Sequence, residues 1–212
     1  MKNMLTPDKK IRVMNKVKDS KFYGSISSAA NRKEAENFIS EISDEFSDAT
    51  HNVNAYRIGS DSDLIEYADD DGEPSGSSGP PVLEAIKGEG LTNTVIVVSR
   101  FFGGTKLGIG GLIRAYGNTA RMAIEESGKK ELKLLYNVRV KGNYDNVGVI
   151  MGQIEAFKGK IINTKYNSQG VEIDFLIKPF RYENFRDKLI EMSSNAAKIE
   201  KIGHKYTVTK SD

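Results

Sequence analysis

The chain has no cysteine and no tryptophan among its 212 residues. Without a thiol, disulfides, cysteine-ligated zinc, iron–sulfur clusters and a cysteine nucleophile are all excluded. Long apolar runs are missing as well, and nothing approaches the ~18–20 residues of a membrane span. The first ten residues, Met1-Lys-Asn-Met-Leu-Thr-Pro-Asp-Lys-Lys10, hold neither the apolar core nor the cleavage site of a secretory signal. The expectation is a cytoplasmic protein with no membrane contact. An excess of either charge is also lacking, since 31 basic residues face 29 acidic ones. Such a balance does not by itself advertise nucleic-acid binding.

What is present is unevenly placed. Between 61 and 73 stand seven carboxylates and no Lys or Arg, whereas 100–121 holds Arg100, Lys106, Arg114 and Arg121 and no acid. Two opposed local fields survive the neutral average. The acidic run includes Asp70-Asp-Gly-Glu-Pro-Ser-Gly76, and the basic one begins Arg100-Phe-Phe-Gly-Gly-Thr-Lys106. The apolar, β-branched 94–99 reads as a central strand with these two segments at its opposite ends. Glycine costs ~0.5–1 kcal/mol wherever the chain is regular, so the glycines between 103 and 111 ask for positive φ or close backbone approach.

Periodicity organises the rest. Strands are expected at 11–17, 22–26, 53–58 and 64–68, the last two joined by a turn at 59–63. Asn31 is suited to cap a helix with Glu34 reaching back, and Ala35, Phe38, Ile39, Ile42 and Phe46 recur on one face of it. Pro80 and Pro81 suit the opening of a helix that Gly88 and Gly90 stop. A long helix over 110–127 places Leu112, Tyr116, Ala120 and Ala123 on one face, with Ile113 and Ile124 beside it. Arg114, Asn118, Arg121 and Glu125 form its opposite stripe, and Gly128 ends it. Length permits one large domain or two small ones. The grammar changes near 128–133, giving domains 1–130 and 131–212. In the second, strands at 134–140, 160–166, 171–177 and 205–209 alternate with helices marked by Val147, Ile150, Met151, Ile154 and Phe157, then by Phe185, Leu189 and Met192. That order, βαββαβ, is ferredoxin-like.

Each chemical motif has a plain alternative. The glycine-rich loop, with a helix N-terminus near Gly110 and the cations Lys106 and Arg114, suits an anion. Glycines that merely let the loop pack would look the same. It lacks the Gly-Lys-Ser/Thr ending of a P-loop, and Ile113 stands where the dinucleotide fingerprint needs Gly or Ala. Asp69, Asp70, Asp71 and Glu73 suit Mg²⁺, a basic partner, or a solvated turn. His51, with Asp48 near, is either a general base or a structural residue at a strand start. Ser75, Ser77 and Ser78 lack a hydrolase frame. Arg114, Asn118 and Arg121 suit phosphates or solvent, and one of Phe101 and Phe102 is free to stack on a base.

The segments Ser20-Lys-Phe22, 34–42, Asp48-Ala-Thr-His-Asn52, Asp70-Asp-Gly-Glu-Pro-Ser-Gly76, Gly79-Pro80, 100–108 and 111–116 together resemble the IMPACT/YigZ family in order and spacing over roughly residues 18–127. Ser77-Ser78 stands where that family usually has Thr-Ala, and Phe101 where it often has Tyr. The resemblance implies an α+β chain. Its first domain would be like the second domain of a small-subunit ribosomal protein, with a left-handed βαβ crossover. Its second would be ferredoxin-like, resembling a domain of translocating elongation factors. Eukaryotic relatives restrain a starvation-responsive initiation-factor kinase by competing for its ribosome-bound activator. They do so with an additional N-terminal domain, so that partner does not carry over whole. The family supplies no catalytic residue to transfer.

The expected function is that of a non-catalytic regulatory factor of translation, without a cofactor or metal. It would bind ribosome, RNA or a ribosome-associated protein as a monomer or weak homodimer. The candidate binding residues are His51, Asp70, Asp71, Glu73, Arg100, Phe101, Gly103, Gly104, Lys106, Arg114 and Arg121. The competing reading is a Mg²⁺-dependent phosphate-handling enzyme using the same surface, with Lys106 stabilising transferred charge.

Overall fold

A computed structural model describes residues 4–60 and 63–207. The chain divides into two compact units, Met1–Glu131 and Leu132–Asp212. The first begins with a short strand β1 (Met4–Pro7), then β2 (Ile11–Val17), β3 (Ser20–Ser28), α1 (Arg32–Glu45), β4 (His51–Ile58), β5 (Ile65–Asp69), α2 (Gly79–Gly88), β6 (Thr94–Phe101) and α3 (Ile109–Ser127). Strands β2-β3-β6-β4-β5 form one antiparallel sheet with β6 at its centre. Because side chains alternate along a strand, β6 feeds two cores. Ile96 and Val98 join Leu112, Tyr116 and Ala120 of α3 and Val82 and Ile86 of α2. Val95 and Val97 join Ala35, Phe38 and Ile42 of α1 on the other face.

Local chemistry explains the helix ends. Asn31 Oδ1 accepts the Glu34 N–H at 2.9 Å, and the Glu34 carboxylate returns to the Ala30 N–H at 2.8 Å. Gly128, at φ 66°, closes α3 in a conformation side chains disfavour. Ile113, expected beside the apolar face, is exposed, whereas Ala120 and Ile124, seven and eleven residues on and on the same side, are buried, so its place near the N-terminal end of α3 decides. β1 was not foreseen, since four residues ending in proline carry too little pattern. It is held through its backbone, with the Thr92 N–H bonding Leu5 O at 2.8 Å.

The second unit runs β7 (Lys129–Gly142), a 3₁₀ turn, α4 (Val147–Ala156), β8 (Lys160–Asn167), β9 (Gly170–Ile177), α5 (Pro179–Met192) and β10 (Lys198–Thr207). Its antiparallel order, β10-β7-β9-β8, is that of the ferredoxin-like βαββαβ unit. Val138, Val140, Ile150, Ile154, Ile173, Phe175, Phe185 and Leu189 form its core. Met151 and Met192, expected on buried faces, are exposed. β10 starts well before 205, and its polar residues and the irregularity between Lys201 and Gly203 hide the alternation a strand reading needs. Residues 61 and 62 of the expected 59–63 turn, and 208 and 209 of the expected last strand, lie outside the described residues.

Candidate functional site: an inward acidic loop and an outward basic surface

Strand register assembles the site. His51 of β4 and Phe22 of β3 both pair with Arg100 of β6, so all three sit at the C-terminal end of the central strand. β5 runs antiparallel to β4 and leaves the sheet with Asp69 opposite Asn54, at the same end. The acidic loop therefore meets Arg100. The expectation that acids and cations occupy opposite ends of the strand is overturned, because α2 carries the chain back along the sheet before β6 begins.

Within the loop, the Asp70 carboxylate accepts N–H groups from Gly76 at 2.7 Å, Ser78 at 2.9 Å and Gly79 at 2.8 Å, and the Ser78 hydroxyl at 2.6 Å. Three of these donors surround the start of α2, so Asp70 caps that helix from a distance. Burial pushes its carboxyl upward, but the Ser78 hydroxyl and the backbone donors outweigh this and hold it below the usual carboxylate range. Asp71 is exposed, yet its Oδ2 accepts the Asn52 N–H at 2.5 Å and its own N–H donates to Asp69 Oδ1 at 2.9 Å.

Glu73 lies deeper, 8% exposed, and Arg100 is 5% exposed. Glu73 Oε1 accepts Arg100 Nη1 at 2.5 Å and the Tyr116 hydroxyl at 2.8 Å, with His51 Nε2 at 3.9 Å. The Arg100 guanidinium also sits over the rings of Phe22, 5.5 Å away, and Phe102, 5.4 Å away. Burial, then the negative charge of Glu73, pushes the Tyr116 hydroxyl far above the usual phenol range, so it stays a donor. His51 Nδ1 lies 2.6 Å from the Asp71 carbonyl. A carbonyl only accepts, so Nδ1 carries the proton and Nε2 faces Glu73. The cluster pins a polar loop to the sheet, and removing one partner strands a buried charge.

The segment after Arg100 behaves differently. Phe101 is half-buried in edge contact with Tyr23 and Phe46, while Phe102 is 45% exposed. A Cβ on Gly103 would lie 2.0 Å from the Asp19 carbonyl oxygen, so only glycine permits that approach. The loop is tied down by Thr105 Oγ1, 2.8 Å from Asp19 Oδ2, and by the Phe102 N–H, 3.1 Å from Thr50 Oγ1. Gly108, at φ 71°, precedes α3 without a side-chain cap, and no acid stands in the first turn. The first N–H groups of α3 are thus open to an anion. Gly104, Lys106, Arg114 and Arg121 are exposed. The Arg114 guanidinium lies back over Gly110 and that of Arg121 over Gly117, where Arg121 bonds Asn118. No described carboxylate lies within ion-pair distance of Lys106, Arg114 or Arg121.

The candidate residues therefore separate. His51, Asp70, Glu73 and Arg100 meet in the interior with Asp71 at their edge, Phe101 and Gly103 shape the loop, and Gly104, Lys106, Arg114 and Arg121 face solvent. The carboxylates suited to Mg²⁺ are taken up by N–H, hydroxyl and guanidinium donors. Among the described residues no three His, Asp or Glu side chains gather in a metal-holding group. Sequence reasoning missed Tyr116 and Ser78 as polar partners. The signal was a phenol on the apolar stripe of α3, since a buried phenol needs an acceptor. A separate pocket of about 410 Å³ in the second unit, lined by Met151, Ile154, Glu155, Lys158, Gly159 and Ile161, offers few converging polar groups.

The family model of the Impact N-terminal domain matches residues 18–124. The chain is 35% identical over 184 residues to the IMPACT family member YvyE of Bacillus subtilis, covering 87% of this chain and 84% of that protein. It is 30% identical over 169 residues to YigZ of Escherichia coli, covering 79% and 83%. A solved crystal structure of a hypothetical protein superposes with a TM-score of 0.78 at 27% identity, covering 95% of this chain and 98% of the other.

Proposed function

The chain belongs to the IMPACT family, and from that premise we propose that it is a non-catalytic, cytoplasmic factor of the translation apparatus that binds the ribosome through the basic face of its first unit. One observation carries the reading. From 90 to 124 there is no acid at all, and Lys106, Arg114 and Arg121 stand exposed without a carboxylate partner among the described residues. Cations that fold stability does not use remain available to a partner, and their field also speeds encounter with a negatively charged surface. The acidic loop contributes from beneath, holding Arg100, and so the start of the Phe102–Lys106 segment, in place.

A catalytic reading finds less support, because the acids it needs are saturated with internal donors. The test is co-sedimentation with purified ribosomes across a salt series. Wild-type protein should pellet at low salt and be released as salt rises. The double substitution Lys106→Ala and Arg114→Ala should lower the bound fraction and weaken the salt dependence by about two charge contacts. Sedimentation that ignores both salt and the double substitution overturns the proposal.

A further inference from the structure

The N-terminal turns of α3 carry more than charge. Ile109 is 61% exposed and Ile113 42% exposed. They are four residues apart, so their side chains adjoin on the first two turns of one helix. Tyr116, Ala120 and Ile124, three, seven and eleven residues beyond Ile113 and so on the same side of α3, are locked into the core, and the isoleucines extend that rigid stripe into solvent. Around them stand Lys106 in the preceding loop, Arg114 with its guanidinium over Gly110, and the uncapped N–H groups at the start of α3. An adjoining apolar pair rimmed by one sign of charge marks an interaction surface better than scattered exposed residues do.

We infer that this face docks an acidic amphipathic helix of a ribosome-associated protein. The inference rests on the ribosome-binding reading above and names the partner class of the same surface. Apolar side chains of the docked helix cover Ile109 and Ile113. Its carboxylates meet Lys106, Arg114, Arg121 and the open end of α3, where negative charge is favoured. RNA suits the patch less well. Bases stack on aromatic faces, and isoleucine has none, so an RNA surface leaves both isoleucines unused. A second copy of this chain is disfavoured because pairing like faces would set Arg114 and Arg121 against their own counterparts.

The test uses the full chain and fluorescence anisotropy with three probes. One is a peptide of roughly 18 residues with leucines on one helical face and glutamates on the other. The second has every glutamate replaced by glutamine, and the third is oligouridylate. The glutamate peptide should bind, with the glutamine version about tenfold weaker. The pair Ile109→Ser and Ile113→Ser, exposed and so expected to leave the fold intact, should weaken the glutamate peptide about tenfold and oligouridylate hardly at all. Equal binding of the two peptides, or an isoleucine pair without effect on the glutamate peptide, overturns the inference. So does an equal loss of oligouridylate binding, which would assign the isoleucines to RNA. Ribosome sedimentation separates the two proposals. If it persists while the peptide fails to bind, the docked helix falls and ribosome binding stands. If it fails while the peptide binds, ribosome binding falls and with it the ribosome-associated partner, while the acidic amphipathic helix stands as the ligand of this face.

Discussion

The loop from Asp69 to Gly79 and the segment from Phe102 to Arg121 carry opposite local charge, and the fold treats them in opposite ways. The first turns its charge inward: Asp70 is spent on the start of α2 and Glu73 on Arg100 and Tyr116. The second turns its charge outward, with Lys106 and Arg114 exposed and free of carboxylate partners among the described residues. A run of like charge is therefore not in itself a binding surface. What matters is whether internal donors or acceptors already satisfy it, since a satisfied buried group has little left to offer a ligand.

The comparison breaks most visibly at Glu73. Glu73→Gln keeps the shape but leaves the Arg100 guanidinium buried beside a neutral amide. Urea unfolding should report a loss of about 3–5 kcal/mol, as for other buried pairs deprived of one charge. A loss below about 1 kcal/mol would mean that the inward charge is not structural, and the contrast between the two segments would collapse.

A smaller effect is expected at Asp70. Asp70→Ala removes the acceptor for three N–H groups and should cost about 1–2 kcal/mol. The pH dependence follows from linkage. The folded carboxyl lies below its ordinary value, so its contribution is present above the unfolded pKa of about 3.9 and is lost as pH falls through the lower folded value. Unfolding of wild type and variant should differ at neutral pH and converge in acid. A difference that persists at low pH would show that the carboxylate's charge is not what caps α2.

The least perturbing change to the fold sharpens the contrast from the other side. Lys106→Ala with Arg114→Ala should leave stability within about 0.5 kcal/mol, because exposed cations without partners contribute little. The same pair should nevertheless impair ribosome sedimentation. Binding lost together with several kcal/mol of stability would place these cations in the fold.

Much of the framework was legible in the residues. The Asn31 cap, the unbroken β-branched run of β6, the buried stripe of α3 and the βαββαβ order of the second unit all follow from local pattern, and the structure shows each of them. The misses have physical causes. β1 is too short to show a period, and the charged residues of β10 mask its alternation. Ile113 shares its side of α3 with the buried Ala120 and Ile124, so its place along the helix, which periodicity does not report, decides between core and solvent. At the candidate site, composition marked both charged segments, but not which way either faced. The phenol of Tyr116 was visible on its stripe, whereas its acceptor lies 43 residues away in the chain.

By itself the sequence determined family, the order of the elements after β1 and the two charged segments, because these depend on residue identity and on spacings of a few positions. Tertiary structure alone decided that Glu73 and Arg100 meet. Their meeting depends on the return of α2 along the sheet and on the register that sets His51 and Phe22 beside Arg100. Burial there makes an ion pair from charges that the sequence leaves far apart, whereas no acid among the described residues comes within ion-pair distance of Arg114, and the other face stays exposed. Direction of charge is a property of long-range pairing, and no local pattern encodes it.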